Sequence, residues 1–345
     1  MQRLIESGDL ADCLAKKPIV LDVRSPGEFA EDHLPGARNI PILDDLQREE
    51  VGRLHRLDPF SARQLGARYA LRAIDRFLGS SFLAELPKTP SFLIYCARGG
   101  QRSGSIATVL NQIGYTVFRL KKGYKTYRSY VRDLLELPLP GVVYVLHGFT
   151  GSQKTRLLSD FRHRLNVLDL EHCARHRGSV LGALPGVPQP SQKAFETELA
   201  WSIREFRPHR PTLIEGESRS IGRCFIPASL WRQMEEARHL WLEMPRSQRV
   251  EHILRDYGEL RDPRLLEPVL QKLRRYLSKA TMDELFTRVR ERRWDQFVDL
   301  LLQHHYDPLY HRFLQKAGAN VLKAPDFETA LRLVAACVGV PCPSP

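Results

Sequence analysis

Short apolar runs that end in charge or glycine alternate with stretches of helical spacing along most of this chain. Pro18-Ile19-Val20-Leu21-Asp22-Val23-Arg24 reads as a buried strand ending in charge, and Ser25-Pro26-Gly27-Glu28-Phe29 opens a helix with proline just inside it. Ser91-Phe92-Leu93-Ile94-Tyr95 is a second buried strand. After it, Ile106, Val109, Leu110 and Ile113 fall at i, i+3, i+4 and i+7 on one helix face, with Gly114 placed to close the helix. Residues 1–132 therefore read as one α/β domain. Leu137-Pro138-Leu139-Pro140-Gly141, within 133–141, reads as a linker. Val142-Val143-Tyr144-Val145-Leu146 opens a second domain over 142–345. Apolar runs at 166–170, 212–215, 240–243 and 320–323 supply further strands of a parallel sheet. From 228 onward the spacing of Leu, Val and Trp is mostly helical, which predicts a helical subdomain over about 228–315.

The chemistry concentrates where the apolar runs stop. Cys96 follows the strand 91–95, and Gly99-Gly100 carries the chain from it into a helix N-terminus. Backbone N–H groups and the positive end of a helix converge at such a place, which lowers a thiol's pKa and receives an anion. A cysteine ending a strand is most often inert core. The paired glycines, with Arg98, Arg102 and Ser103 in the same loop, turn the reading toward a working thiolate. Cys96, five residues, Arg102 and Ser103 also spell C-x5-R-S, the signature of cysteine-dependent phosphatases, so sulfur transfer and phosphate chemistry both stay open here. That spacing suits a tetrahedral anion, with the loop amides and Arg102 on its oxygens. The alternative for Arg102 is a pair with an acid such as Asp22 or Glu28.

A second phosphate loop follows the strand at 142–146. Gly148, Gly151, Ser152, Lys154 and Thr155 nearly complete G-x-x-x-x-G-K-[ST], whose amides, lysine and hydroxyl cradle phosphates and leave room for Mg²⁺ beside Thr155. Gln153 stands where that motif has glycine. Glu215 and Glu217 fall at the carboxyl end of a strand, where parallel sheets hold their ligands. The polar excursion 169–196 reads as a substrate loop.

Net charge is +12, which favours a polyanionic partner, nucleic acid before membrane, although a general solubilising charge has the same composition. Residues 119–132 hold six basic side chains and no acid, interleaved with Tyr124, Tyr127 and Tyr130. Cations on phosphates and rings on bases suit an RNA strand, with Lys121, Lys122, Tyr124, Lys125 and Arg128 as contacts. A domain-closing helix would show the same pattern. Residues 246–293 carry 13 Lys+Arg against 8 Asp+Glu, a second basic face. The six cysteines are scattered without a C-x-x-C pair, which excludes a disulfide framework or zinc knuckle and suits a reducing compartment. With no apolar run near the ~20 residues that span a bilayer, a cytoplasmic enzyme is expected.

Asp22-Val23-Arg24-Ser25-Pro26-Gly27-Glu28-Phe29, then His33-Leu34-Pro35-Gly36-Ala37-Arg38-Asn39-Ile40-Pro41, then the Cys96 loop, resemble a rhodanese domain. That resemblance implies a cysteine carrying sulfur or selenium as a persulfide or selenyl sulfide. His176-Arg177-Gly178-Ser179, Gln189-Pro190-Ser191-Gln192-Lys193-Ala194-Phe195-Glu196 and Glu215-Gly216-Glu217-Ser218-Arg219 extend the likeness over nearly the whole chain. Together they resemble the tRNA 2-selenouridine synthase family, which joins a rhodanese domain to a P-loop domain in this order. The family implies conversion of wobble 2-thiouridine in tRNA, first alkylated by geranyl diphosphate and then selenated by selenophosphate. It adds His176, Arg177, Gly178, Ser179, Gln189, Gln192, Lys193, Glu215, Glu217 and Arg219 as substrate-loop residues. No tightly bound cofactor and no protein metal site are expected, and selenophosphate and geranyl diphosphate enter as co-substrates. This chain has Gln153 for the P-loop glycine, Arg175 for an asparagine and Lys122 for a second glycine before Gly123-Tyr124-Lys125. His304-His305-Tyr306-Asp307-Pro308-Leu309-Tyr310 resembles the family's Y-D-P-x-Y motif with histidines substituted. A sulfurtransferase or phosphatase fused to a P-loop module, and a tRNA-binding relative without activity, are the alternatives.

Overall fold

The computed structural model describes residues 3–87, 89–178, 186–256, 266, 270–310 and 318–343. Two compact units divide the chain: 1–137 with 190–201, and 138–189 with 202–345. The division is not linear, because part of the helix Gln192–Arg204 is grouped with the first unit.

The first unit is built on a five-stranded sheet of β1 (Arg3–Ile5), β2 (Ile19–Asp22), β3 (Arg38–Asn39), β4 (Ser91–Tyr95) and β5 (Thr116–Leu120). Its order is β1-β5-β4-β2-β3, with every pair parallel. A parallel strand is covered on both faces and so reads as a continuous apolar run. Phe92, Leu93, Ile94 and Tyr95 are fully buried in that way. The helix Gln101–Ile113 follows β4, and Gly114 closes it in the left-handed conformation. Between β3 and β4 lie two long helices, Asp45–Leu57 and Pro59–Leu78, whose N-termini are capped by the Asp44 and Asp58 carboxylates, and the short helix Ser81–Ala84.

The second unit holds β6 (Val143–Gly148), β7 (Asn166–Leu168), β8 (Thr212–Glu215), a hairpin β9 (Ser220–Ile221) and β10 (Cys224–Phe225), β11 (Arg238–Glu243) and β12 (Asn320–Lys323). Its five-stranded parallel sheet runs β12-β11-β6-β8-β7. β6 is central, so the turn into the helix Lys154–Phe161 emerges at mid-sheet beside the carboxyl end of β8. A separate apolar cluster of Leu273, Leu285, Phe297, Leu301 and Leu302 forms the helical C-terminal part. Among the described residues no helix is long and apolar enough to cross a membrane.

Candidate functional sites

In the first unit, Cys96 closes β4 with 3% of its surface exposed. Burial pushes its thiol up, but donors outweigh burial and the pKa falls below the ordinary value. Those donors are the Ser103 hydroxyl, the backbone amides of Ser103 and Arg98, and the charge of Arg102. The Ser103 Oγ lies 3.3 Å from Cys96 Sγ. Arg119, which the sequence offered only as one of the basic residues of 119–132, donates from Nη2 to the carbonyls of Gly99 at 2.8 Å and Gly100 at 3.3 Å. These bonds fix the backbone of the loop at Gly99 and Gly100.

Gly123 presses on the back of the same loop. It sits at φ +61°, and a Cβ there would overlap the Cys96 carbonyl and the Gly99 amide. The Tyr124 amide also donates to the Cys96 carbonyl at 2.7 Å. Gly123→Ala is therefore expected to cost about 1–3 kcal/mol, since both backbone strain and a steric clash arise at one residue. Chemical denaturation followed by a probe in the first unit reads this, and an unchanged midpoint would refute the packing role.

Arg102 donates to Glu28 Oε2 at 2.8 Å, and Glu28 also caps the helix Pro26–Glu31 through the Ser25 amide. The pairing alternative for Arg102 is thus the one the structure adopts. Arg98 is exposed.

The tyrosine stripe of 124–130 is largely taken up inside the unit. Tyr127 and Tyr130 are buried, edge-on to Trp201, and Tyr127 Oη donates to Thr197 Oγ1 at 2.9 Å. Tyr124 Oη donates to Asp32 at 2.7 Å, its ring lies 3.9 Å from the Arg24 guanidinium, and Arg128 is paired with Glu196 and Asp32. Tyr127, Tyr130 and Arg128 bind helix 192–201 to the unit, because large rings bury more area there than a solvated stripe would. Lys121, Lys122 and Lys125 stay on the surface, Lys121 paired with Glu6.

In the second unit the phosphate loop leaves β6 at Gly148. Gln153 adopts φ 58° and ψ 31°, the left-handed conformation a glycine would take, at a cost of about 1–2 kcal/mol. Its side chain accepts from Arg156 at 3.4 Å, so the glutamine keeps the loop's turn. Lys154 Nζ donates to the Gly148 carbonyl at 3.1 Å. Burial opposes its charge, but Tyr310, Glu217, Glu171 and Glu215 hold its pKa above the usual value. The Ser152 hydroxyl is buried without a partner, whereas Thr155 is exposed.

The helical part grips this loop. Arg249, 3% exposed, donates to the Thr150 carbonyl at 3.2 Å and makes a bidentate pair with Asp307 at 2.9 and 2.8 Å. His252 Nδ1 lies 3.1 Å from the Gly151 carbonyl, and the Tyr310 ring packs edge-on to Phe149 and Trp241. The Asp307-Pro308-Leu309-Tyr310 motif therefore supports the phosphate loop.

Facing Lys154, one carboxylate oxygen each from Glu171, Glu215 and Glu217 lie within 4.8 Å of one another. Glu215 is wholly buried at the end of β8. Its Oε2 accepts the Glu171 amide at 3.0 Å, and its Oε1 has no partner. Burial first, then the neighbouring acids, pushes Glu171 up to about 8 and Glu215 well above the usual range. Burial also raises Glu217 against the pull of Lys154. An orphaned buried oxygen among three carboxylates fits a divalent cation. Glu171 was legible only as one acid of a polar loop.

The remaining substrate-loop residues divide. Gly178 packs directly on Glu171 and Glu217, where a side chain would clash. His176 is buried, its Nδ1 is unpartnered, and burial lowers its pKa. Arg177 is half-buried and Arg219 exposed. Gln189 donates to the carbonyls of Ala174 and Ile221 and accepts the Arg223 amide, which pins the loop. Gln192 bonds Glu196, and Lys193 pairs with Glu31 at 2.8 Å, so both belong to the first unit, apart from the carboxylates. Ser179 lies outside the described residues.

Comparison with known proteins agrees with this arrangement. Residues 6–130 match the rhodanese-like domain, and residues 142–266 match the tRNA 2-selenouridine synthase AAA domain. The tRNA 2-selenouridine synthase of Chromohalobacter salexigens is 32% identical over 92% of this chain and 94% of its own length. That of Aeromonas salmonicida is 33% identical over 90% and 91%, and that of Bordetella petrii 32% over 91% of each. The chain belongs to the tRNA 2-selenouridine synthase family.

Proposed function

We propose that this chain converts wobble 2-thiouridine in tRNA to 2-selenouridine in two transfers. In the first, the thiocarbonyl sulfur attacks C1 of geranyl diphosphate. The S–C bond forms, and diphosphate leaves with the electron pair of the C–O bond. In the second, selenium from selenophosphate attacks C2 of the nucleobase, and the geranylated sulfur departs. The order follows from leaving-group chemistry, because a thiocarbonyl sulfur leaves poorly until it is alkylated.

What supports the reading is that one chain holds two strand-to-helix turns of different chemistry, each with groups suited to an anion. The Lys154 loop offers a cation, a turn of backbone amides and a buried hydroxyl, which suit a diphosphate. The Cys96 loop offers a thiol of lowered pKa among amides, which suits the selenium donor. We assign the diphosphate to the first and selenophosphate to the second. Glu171, Glu215 and Glu217 would hold a divalent cation, which would neutralise the departing diphosphate. The exposed Lys122 and Lys125, and the basic stretch 246–293, are the surfaces we assign to the tRNA backbone.

Nucleoside mass spectrometry of tRNA from cells with and without the chain tests the proposal. Selenouridine should disappear when the chain is absent and return with it. Selenouridine that persists without the chain would refute the assignment.

A further inference from the structure

The C-x5-R-S spacing that reads like a phosphatase has no task in the scheme above. A selenyl sulfide on Cys96 also meets an electron-counting difficulty. Selenium in selenophosphate is at the selenide level, bound to phosphorus(V). Moving it onto a thiolate as S–Se would require a two-electron acceptor. Attack on phosphorus needs none, because selenide is itself a good leaving group.

We propose that Cys96 accepts the phosphoryl group of selenophosphate, so that selenium leaves as selenide for the waiting nucleobase. This rests on the proposed use of selenophosphate at the Cys96 loop. The thiolate attacks phosphorus, the S–P bond forms, and the P–Se bond breaks with its electron pair going to selenium. The selenide then attacks C2 of the S-geranylated uridine, and the geranylthiolate leaves with the C–S pair and takes a proton. Water attacks the phosphocysteine, the P–O bond forms, the S–P pair returns to Cys96, and orthophosphate is released. No oxidant or reductant enters.

The loop's groups fit each part. Cys96 Sγ has the Ser103 hydroxyl at 3.3 Å, which together with the Ser103 and Arg98 amides favours its thiolate form. Arg119 ties down the Gly99 and Gly100 carbonyls, and the Arg98 and Ser103 amides beside Cys96 are the donors assigned to the phosphoryl oxygens. Glu28 fixes Arg102 at 2.8 Å beside the helix start, which leaves its charge near the thiolate. Ser103 acts again at hydrolysis, where its hydrogen bond stabilises the departing thiolate. In-line attack places selenium away from Cys96, with phosphorus facing the sulfur.

The test is intact and peptide mass spectrometry of the full chain, quenched at successive times after mixing with selenophosphate in the absence of tRNA. One phosphoryl group on Cys96, without selenium, is expected, together with free selenide. Cys96→Ser should show none. Ser103→Ala should lengthen the adduct's lifetime roughly ten- to a hundredfold, the usual worth of a hydrogen bond to a charged group. Selenium on Cys96 without phosphorus would overturn the proposal. So would the absence of any adduct in both wild type and Ser103→Ala while a parallel sample selenates geranylated tRNA. The adduct is read without tRNA, so a failure of tRNA selenation alone would count against the proposed function and leave this step standing.

Discussion

Cys96→Ser is expected to abolish selenium incorporation while leaving geranylation of the thiouridine at its normal rate. The substitution is nearly isosteric at a site with 3% exposure, so packing against Leu21, Val23 and Ile106 should survive. What changes is the nucleophile. The Ser103 hydroxyl and the amides of Arg98 and Ser103 lower the pKa of the thiol and so favour its thiolate. A serine hydroxyl has no such anion to stabilise, and no imidazole takes its proton in the contacts described. General-base activation alone is worth about 10²–10⁴ in rate, so the loss should reach the detection limit. Geranylation is assigned to the Lys154 loop, in a unit with its own sheet and core, and should not respond. Full selenation by the serine variant with purified selenophosphate would remove the cysteine from the reaction.

Lys154→Ala carries the second large effect, a fall in geranylation of about ten- to a hundredfold from the loss of a charge-assisted contact worth ~1.5–3 kcal/mol. The lysine is held by the Gly148 carbonyl at 3.1 Å, with Glu171, Glu215 and Glu217 raising its pKa. Removing it also leaves the three carboxylates facing one another without that cation, so diphosphate should bind more weakly still. Steady-state kinetics with geranyl diphosphate should show most of the loss in KM, since the lysine binds the diphosphate before and during departure. A circular dichroism spectrum like that of the wild type separates this from unfolding. Kinetics that do not change would mean that the diphosphate binds elsewhere.

How far these sites were legible depends on how locally each was encoded. The strand Ser91–Tyr95, the cysteine and the glycine turn lie next to one another in sequence, and the structure keeps them together. β5 was hidden because Arg119 interrupts its apolar run, although that arginine turns inward to the Cys96 loop. β1 and β3 are three and two residues long, too short to show a period. The helices Asp45–Leu57 and Pro59–Leu78 expose Leu46, Leu57, Phe60 and Leu71, which blurs the face that spacing would reveal.

Long-range partners account for the rest. A tyrosine stripe looks alike whether its rings meet bases or Trp201, and Thr197 lies 70 residues from Tyr127. Asp307 meets Arg249 across 58 residues, so its part in holding the phosphate loop had no local signal. Gln153 breaks the glycine pattern in sequence but reproduces the glycine's φ in the fold, which only backbone geometry can show. Gln192 and Lys193 sit in one motif with Gln189, yet the chain leaves one unit for the other between them.

The central claim, alkylation before selenation on one chain, is tested most directly by reconstitution. Purified chain is mixed with tRNA bearing 2-thiouridine and geranyl diphosphate, selenophosphate is added later, and nucleosides are followed by mass spectrometry. S-geranyl-2-thiouridine should accumulate until selenophosphate arrives and then convert to 2-selenouridine. Selenouridine formed at the same rate without geranyl diphosphate, or a geranylated nucleoside that selenophosphate never converts, would contradict it.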